Sequence, residues 1–150
     1  MKKVDLFHLK GTFTAVKRNI KTGEVSVTRK DNIILNVGFD FIANAMCATS
    51  DRPAVMGYTA VGTGATAPAA TQTSLVNELK RKAATYAHTA GTKVFNLTTN
   101  FAAGEATGAI TEAGICNAST GGIFLDRVTF AVINKGADDE LSTNFQFTMS

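Results

Sequence analysis

The chain has 150 residues, 45% of them hydrophobic and 18% charged, with a net charge of +3. This composition belongs to a globular domain rather than a disordered or fibrous chain, and a domain of this length buries roughly 68–70% of the surface its unfolded chain exposes, so no staple is required. No apolar run approaches the roughly 18–20 residues that cross a bilayer, and Val4-Asp5-Leu6-Phe7-His8 supplies no unbroken apolar stretch behind the basic Met1-Lys2-Lys3, so the expectation is a protein made and used without export or membrane insertion.

In chain order, Val4 to Val16 alternates, with Phe7, Leu9, Phe13 and Ala15 on one face and Val4 and Leu6 on the other, which predicts a long strand burying Phe7 and Phe13. Asn19 to Glu24 is a turn in which Gly23 can take a positive φ, and Val25 to Thr28 returns as a second strand. Residues 1–32 therefore read as a basic N-terminal β-hairpin arm on a single β domain spanning 1–150. Phe39, Ile42, Ala43 and Met46 then repeat at i, i+3, i+4 and i+7, predicting an amphipathic helix over about 37–49 that stops before Pro53.

Met56 to Val61 suits a buried strand, and the small residues from Gly62 to Thr71 suit a loop. Thr73 or Ser74 is placed to cap a second short helix over about 73–82, with Leu75 and Leu79 at i, i+4 and Lys80-Arg81-Lys82 at its end. The remainder reads as strands. Phe95, Leu97, Thr99 and Phe101 share one face, Val128, Phe130 and Val132 another, and Leu141, Thr143, Phe145, Phe147 and Met149 alternate to the end of the chain. Ile110 and Ile115 are out of phase, and Gly114 is the expected bulge that restores both to the core. Gly121-Gly122 and Gly136 to Asp139 supply turns. About seven strands with two short helices predict a mainly β fold, an antiparallel β-sandwich or a compact barrel.

The candidate chemistry is thin. Gly62-Thr63-Gly64-Ala65-Thr66-Ala67 matches a loose nucleotide fingerprint, but Pro68 and the residues after it delay any helix that would face a pyrophosphate, so a connecting turn is expected and no cofactor. His8 and His88 lie in no nucleophile motif. Asp138-Asp139-Glu140 lacks the spacing of a calcium loop and reads as a solvated hairpin turn. Cys47 and Cys116 are far apart without a CxxC pair, which favours free thiols over a disulfide framework or zinc site. Catalytic, cofactor and metal residues are therefore none.

Charge is uneven: residues 1–36 hold eight Lys or Arg against Asp5, Glu24 and Asp31, whereas residues 106–150 carry two basic and five acidic residues. The basic hairpin has few aromatic stacking partners, so edge protection or an electrostatic subunit contact is expected there rather than specific nucleic-acid binding. Val4, Leu6, Lys10, Lys17 and Arg18 are the candidate interface residues, with the Val4–Val16 strand adding to a neighbour's sheet.

Four segments carry a resemblance. Asn36-Val-Gly-Phe-Asp-Phe-Ile-Ala43, Ala60-Val-Gly-Thr-Gly-Ala-Thr-Ala-Pro-Ala-Ala-Thr71, Ala103-Gly-Glu-Ala-Thr-Gly-Ala-Ile-Thr-Glu-Ala-Gly-Ile-Cys-Asn117 and Arg127-Val-Thr-Phe-Ala-Val-Ile-Asn-Lys-Gly136 resemble a group of small structural proteins of tailed-bacteriophage virions, over most of residues 33–150. The resemblance implies a non-enzymatic subunit repeated in a neck, collar or tail assembly. Its implied partners are further copies of itself and other virion proteins, and its implied location is the virion after synthesis in the host cytoplasm. Capsid decoration is the alternative, and a host-receptor or sugar-binding module of a tail fibre a further one.

Overall fold

The computed structural model describes residues 6–150. The elements are β1 (Leu9–Asn19), β2 (Val25–Asp31), β3 (Ile33–Ile34), α1 (Asn36–Cys47), β4 (Tyr58–Gly62), β5 (Glu78–Ala83), β6 (Thr85–His88), β7 (Val94–Phe101), β8 (Gly108–Cys116), β9 (Asp126–Lys135) and β10 (Asp139–Met149). They form two antiparallel sheets of five strands, in the orders β2-β1-β10-β7-β6 and β3-β9-β8-β4-β5. The fold is a β-sandwich, and among the described residues no barrel closes.

Period-2 patterning builds the core. Along β10, Leu141, Thr143, Phe145 and Phe147 are buried while Ser142 and Gln146 are exposed, because alternate side chains leave opposite faces of a strand. Phe13 of β1 lies directly opposite Phe145 and Phe95 opposite Phe147. Their ring centroids are 4.9 and 5.0 Å apart, and Phe13 also stacks at 4.9 Å on Phe130 of the other sheet, within the range where aromatic pairs attract beyond their buried area. Val61, Ile110, Ala113, Ile115 and Val128 complete this core from the second sheet. Thr99 donates to the Thr59 hydroxyl at 2.9 Å across the interior, which satisfies a polar group on each layer.

At both flanks a single residue carries the chain from one sheet to the other: Asn32 between β2 and β3, and Ala84 between β5 and β6. The Asn32 corner explains Gly11. A Cβ there would lie 2.1 Å from the Asn32 side-chain oxygen.

Several expectations are corrected. The second helix does not form. Residues 78–83 are the edge strand β5, Leu75 is buried on the outer face of the second sheet, and Leu79 is exposed, so their i, i+4 spacing does not mark one helical face. Helix α1 ends at Cys47, with the Ala48 N–H on Asn44 O at 3.0 Å. Its expected inner face is packed only in part: Ile42 is half-buried against the core, whereas Phe39, Ala43 and Met46 are exposed and Gly38 is the one fully buried residue of the helix. The strand irregularity falls between Ile110 and Glu112 rather than at Gly114, where a Cβ would lie 2.6 Å from Asp126 O. Phe7 precedes β1 and is 60% exposed. Val132 is exposed, and Ile133 takes the buried position in its place.

Candidate functional site

The N-terminal hairpin forms as its turn chemistry dictates. Gly23 takes φ 76°, and the Asn19 side-chain oxygen accepts the Lys21 and Thr22 N–H groups at 3.0 and 2.9 Å, an Asx turn. Of the five candidate interface residues, Val4 lies outside the described residues. Leu6 is exposed ahead of β1. Lys10 and Arg18 sit on the outer face at opposite ends of β1, roughly 26 Å apart at the usual rise per residue. Lys17 points the other way and donates to Asn134 O at 3.0 Å. The fold therefore does not gather the described four into one patch.

Nor is β1 free to add to another sheet. It pairs with β10 along Leu9–Asn19 and with β2 along Thr12–Arg18, which occupies the backbone donors and acceptors that strand addition requires. This sheet has two edges, β2 and the short β6, and β2 is the one that lies in the basic hairpin. Every β2 residue except Thr28 is exposed, Val25 at 54% and Val27 at 65%. Arg18 and Val16 lie opposite Val25 and Val27 on the same outer face, with Arg29 opposite Thr14.

The Gly62–Thr71 loop owes its form to an internal anion. Glu112 and Arg127 are fully buried on the outer side of the second sheet, with Arg127 Nε donating to Glu112 Oε2 at 2.9 Å and Nη2 in ionic contact at 2.8 Å. Glu112 also accepts the backbone N–H groups of Gly64 (3.0 Å), Val76 (3.0 Å) and Asn77 (2.7 Å). Arg127 Nη1 donates to Thr66 O at 2.8 Å and to Gln72 Oε1 at 3.0 Å. The carboxylate thus fills the cradle that a phosphate would fill in a nucleotide loop. Gly62 and Gly64 are required by it, since a Cβ at either would lie 2.6 or 2.5 Å from Glu112 Oε1. The segment so pinned covers a second apolar cluster of Leu35, Ala60, Leu75, Cys116 and Phe124.

This clamp was not among the sequence candidates, although a signal exists. Glu112 is a lone acid in the buried run Ile110–Cys116, and Arg127 directly precedes buried Val128. Charges in buried strands need partners.

Other titratable groups serve the frame. Arg81 donates to Ala118 O and Gly121 O at 2.7 and 2.8 Å and to both Glu78 oxygens, tying β5 to the 117–122 loop. The hydrogen bond to Glu78 raises its pKa. Burial pushes the Cys116 thiol up to about 11, while Cys47 is exposed. Asp139 is buried rather than solvated. It accepts the Gly136 N–H at 2.8 Å and the Asn19 amide at 2.9 Å, and the Gly136 bond first among these contacts lowers its pKa. The turn it closes joins the two sheets and is not a hairpin. His88 Nδ1 lies 2.7 Å from Val94 O, and the His8 backbone pairs with Ser150. Among the described residues no group of three or more His, Cys, Asp or Glu is placed to hold a metal, and no helix is long and apolar enough to cross a membrane.

Compared with protein-family models, with curated proteins and with solved structures, the chain finds no match.

Proposed function

We propose that this protein is a structural subunit of a bacteriophage particle, repeated in a neck, collar or tail assembly and acting through protein–protein contacts without catalysis. The observation that carries the reading is the open β2 edge, where exposed Val25 and Val27 stand beside Arg18 and Arg29. An exposed strand edge with apolar side chains is a pairing surface that proteins normally blunt or cover, and here it lies in the basic hairpin. Repeated copies or a neighbouring virion protein would supply the missing strand and the acidic complement. The resemblance of residues 36–43, 60–71, 103–117 and 127–136 to small virion proteins gives the assembly class.

The test is to label the subunit in purified particles and locate it by electron microscopy. Density at the neck, collar or tail is the expected result. Density over the shell would make it a capsid decoration protein, and absence from particles would overturn the proposal.

A second reading, a sugar-binding or receptor module, draws on the outer face of the first sheet. Thr14, Asn144, Thr98 and Thr85 form one cross-strand row, with Thr12, Gln146 and Asn96 in the next. The first of these rows lines a shallow 380 Å³ hollow of neutral hydroxyl and amide groups, into which Val16 and Ala83 also project. Glycan-array binding abolished by Asn144→Ala would favour it over the subunit reading.

A further inference from the structure

Beneath α1 the sandwich is not filled. A partly enclosed cavity of about 530 Å³ opens there, whereas protein interiors seldom leave voids larger than a water molecule. Its floor is inter-sheet core, Leu97 and Leu125, flanked by Phe95 of β7. Its roof is the inward side of α1, Phe41 and Ile42, and Met46, Met56 and Met149 stand around the sides.

Two properties decide what fits. The first is chemical: among the described residues, the Tyr86 hydroxyl is the one polar side-chain group in a lining otherwise apolar. Water inside would find too few partners to be held, and an ionised group would lose its hydration with no counter-charge in return. The volume falls inside the roughly 300–1,000 Å³ of small-molecule sites, which share this apolar lining.

The second is mechanical. The N-terminal end of α1 is fixed: Leu35 N–H donates to Leu125 O at 3.0 Å, Asn36 N–H to Ala70 O at 2.8 Å, and Gly38 approaches Leu125 O so closely that a Cβ would sit 2.3 Å away. The far end carries no comparable packing. Met46 is 75% exposed, and the side-chain tether there is the Arg52 guanidinium on Ala45 O. A roof held at one end, over walls rich in unbranched Met, adapts to an occupant at little cost.

We propose that this cavity is a binding site for a small, uncharged hydrocarbon molecule, an aliphatic chain or ring system with no ionised group inside the lining. The proposal is independent of where the subunit sits in a particle, because the cavity belongs to a single copy.

The experiment titrates the purified full chain with the neutral dye Nile red. Saturable binding is expected, displaced by dodecanol and about tenfold less well by dodecanoate, a difference of about 1.4 kcal/mol. Ile42→Trp on the roof and Met56→Trp on the wall fill the space and should each weaken dye binding by about tenfold or more. Ala137→Ser, exposed in the turn before β10 and at the far end of that strand from Met149, should leave it unchanged. Circular dichroism and melting temperature report whether each variant folds, and either filled variant alone suffices. No saturable binding, equal binding by a folded filled variant, or loss of binding as the protein self-associates would overturn the proposal. The last result would make the occupant a second copy.

Discussion

Glu112 and Arg127 meet at 2.8 Å with neither side chain reaching solvent, and through this pair β8 and β9 hold the loop that follows β4. Removing one partner strands a buried charge, which costs about 3–5 kcal/mol. Arg127→Met is therefore expected to lower unfolding free energy by that amount in a urea titration. Glu112→Gln combined with Arg127→Met should be less destabilised than the sum of the two single changes, and strict additivity would show that the pair is not coupled.

The glycines at the two ends of β4 give a contrast. Gly62→Ala places a methyl 2.4 Å from Asn77 O, and overpacking of this kind costs about 1–3 kcal/mol. Gly57→Ala meets nothing nearer than 3.8 Å and should be close to neutral. Equal thermal stability of the two variants would contradict the close-approach account.

Asp126 sets a pH dependence. Burial, opposed by the Ile115 N–H and the Asn32 amide, pushes its carboxyl from 3.8 up to about 7. Between those values the native state binds a proton that the unfolded chain has released, so stability falls as pH rises from about 4 to about 7 and levels off above. Asn32 Oδ1 is buried without a partner, and a protonated Asp126 can donate to it once the Asn32 amide turns over. Asp126→Asn supplies a permanent donor and should flatten melting temperature across that window. Asp139 and Glu105, whose pKa values are lowered, act with the opposite sign and only at lower pH. A wild-type melting temperature that rises from mild acid to neutrality would contradict the assignment to Asp126.

The two thiols should separate kinetically. Cys47 is exposed at the end of α1, while Cys116 is buried with its pKa raised to about 11, and only the thiolate is nucleophilic. Ellman's reagent at neutral pH should modify one cysteine in the native protein and both after denaturation. Rapid modification of both in native buffer would show that the 117–122 loop does not shield Cys116.

What was legible in the sequence follows the range of the interactions. The β10 alternation and the Asn19–Gly23 turn are written in neighbouring residues, so strand and hairpin were readable there. The stretch 73–82 suits a helix locally through Leu75 and Leu79, whereas Glu112, 35 residues from Asn77, captures the Val76 and Asn77 N–H groups in a bend just before β5, and no helix forms. Alternating Glu78, Lys80 and Lys82 on an exposed edge carries no apolar period to reveal the strand. The interface residues failed to converge for a simpler reason: adjacency along β1 alternates faces, so Lys17 and Arg18 point apart.

The central claim, that the chain joins a particle through its β2 edge, is tested most directly by counting its copies in purified particles by quantitative mass spectrometry after complementation with Val25→Asp/Val27→Asp. Both side chains are exposed, so the variant should fold with an unchanged melting temperature and yet be lost from particles. Incorporation at the wild-type copy number would contradict the account.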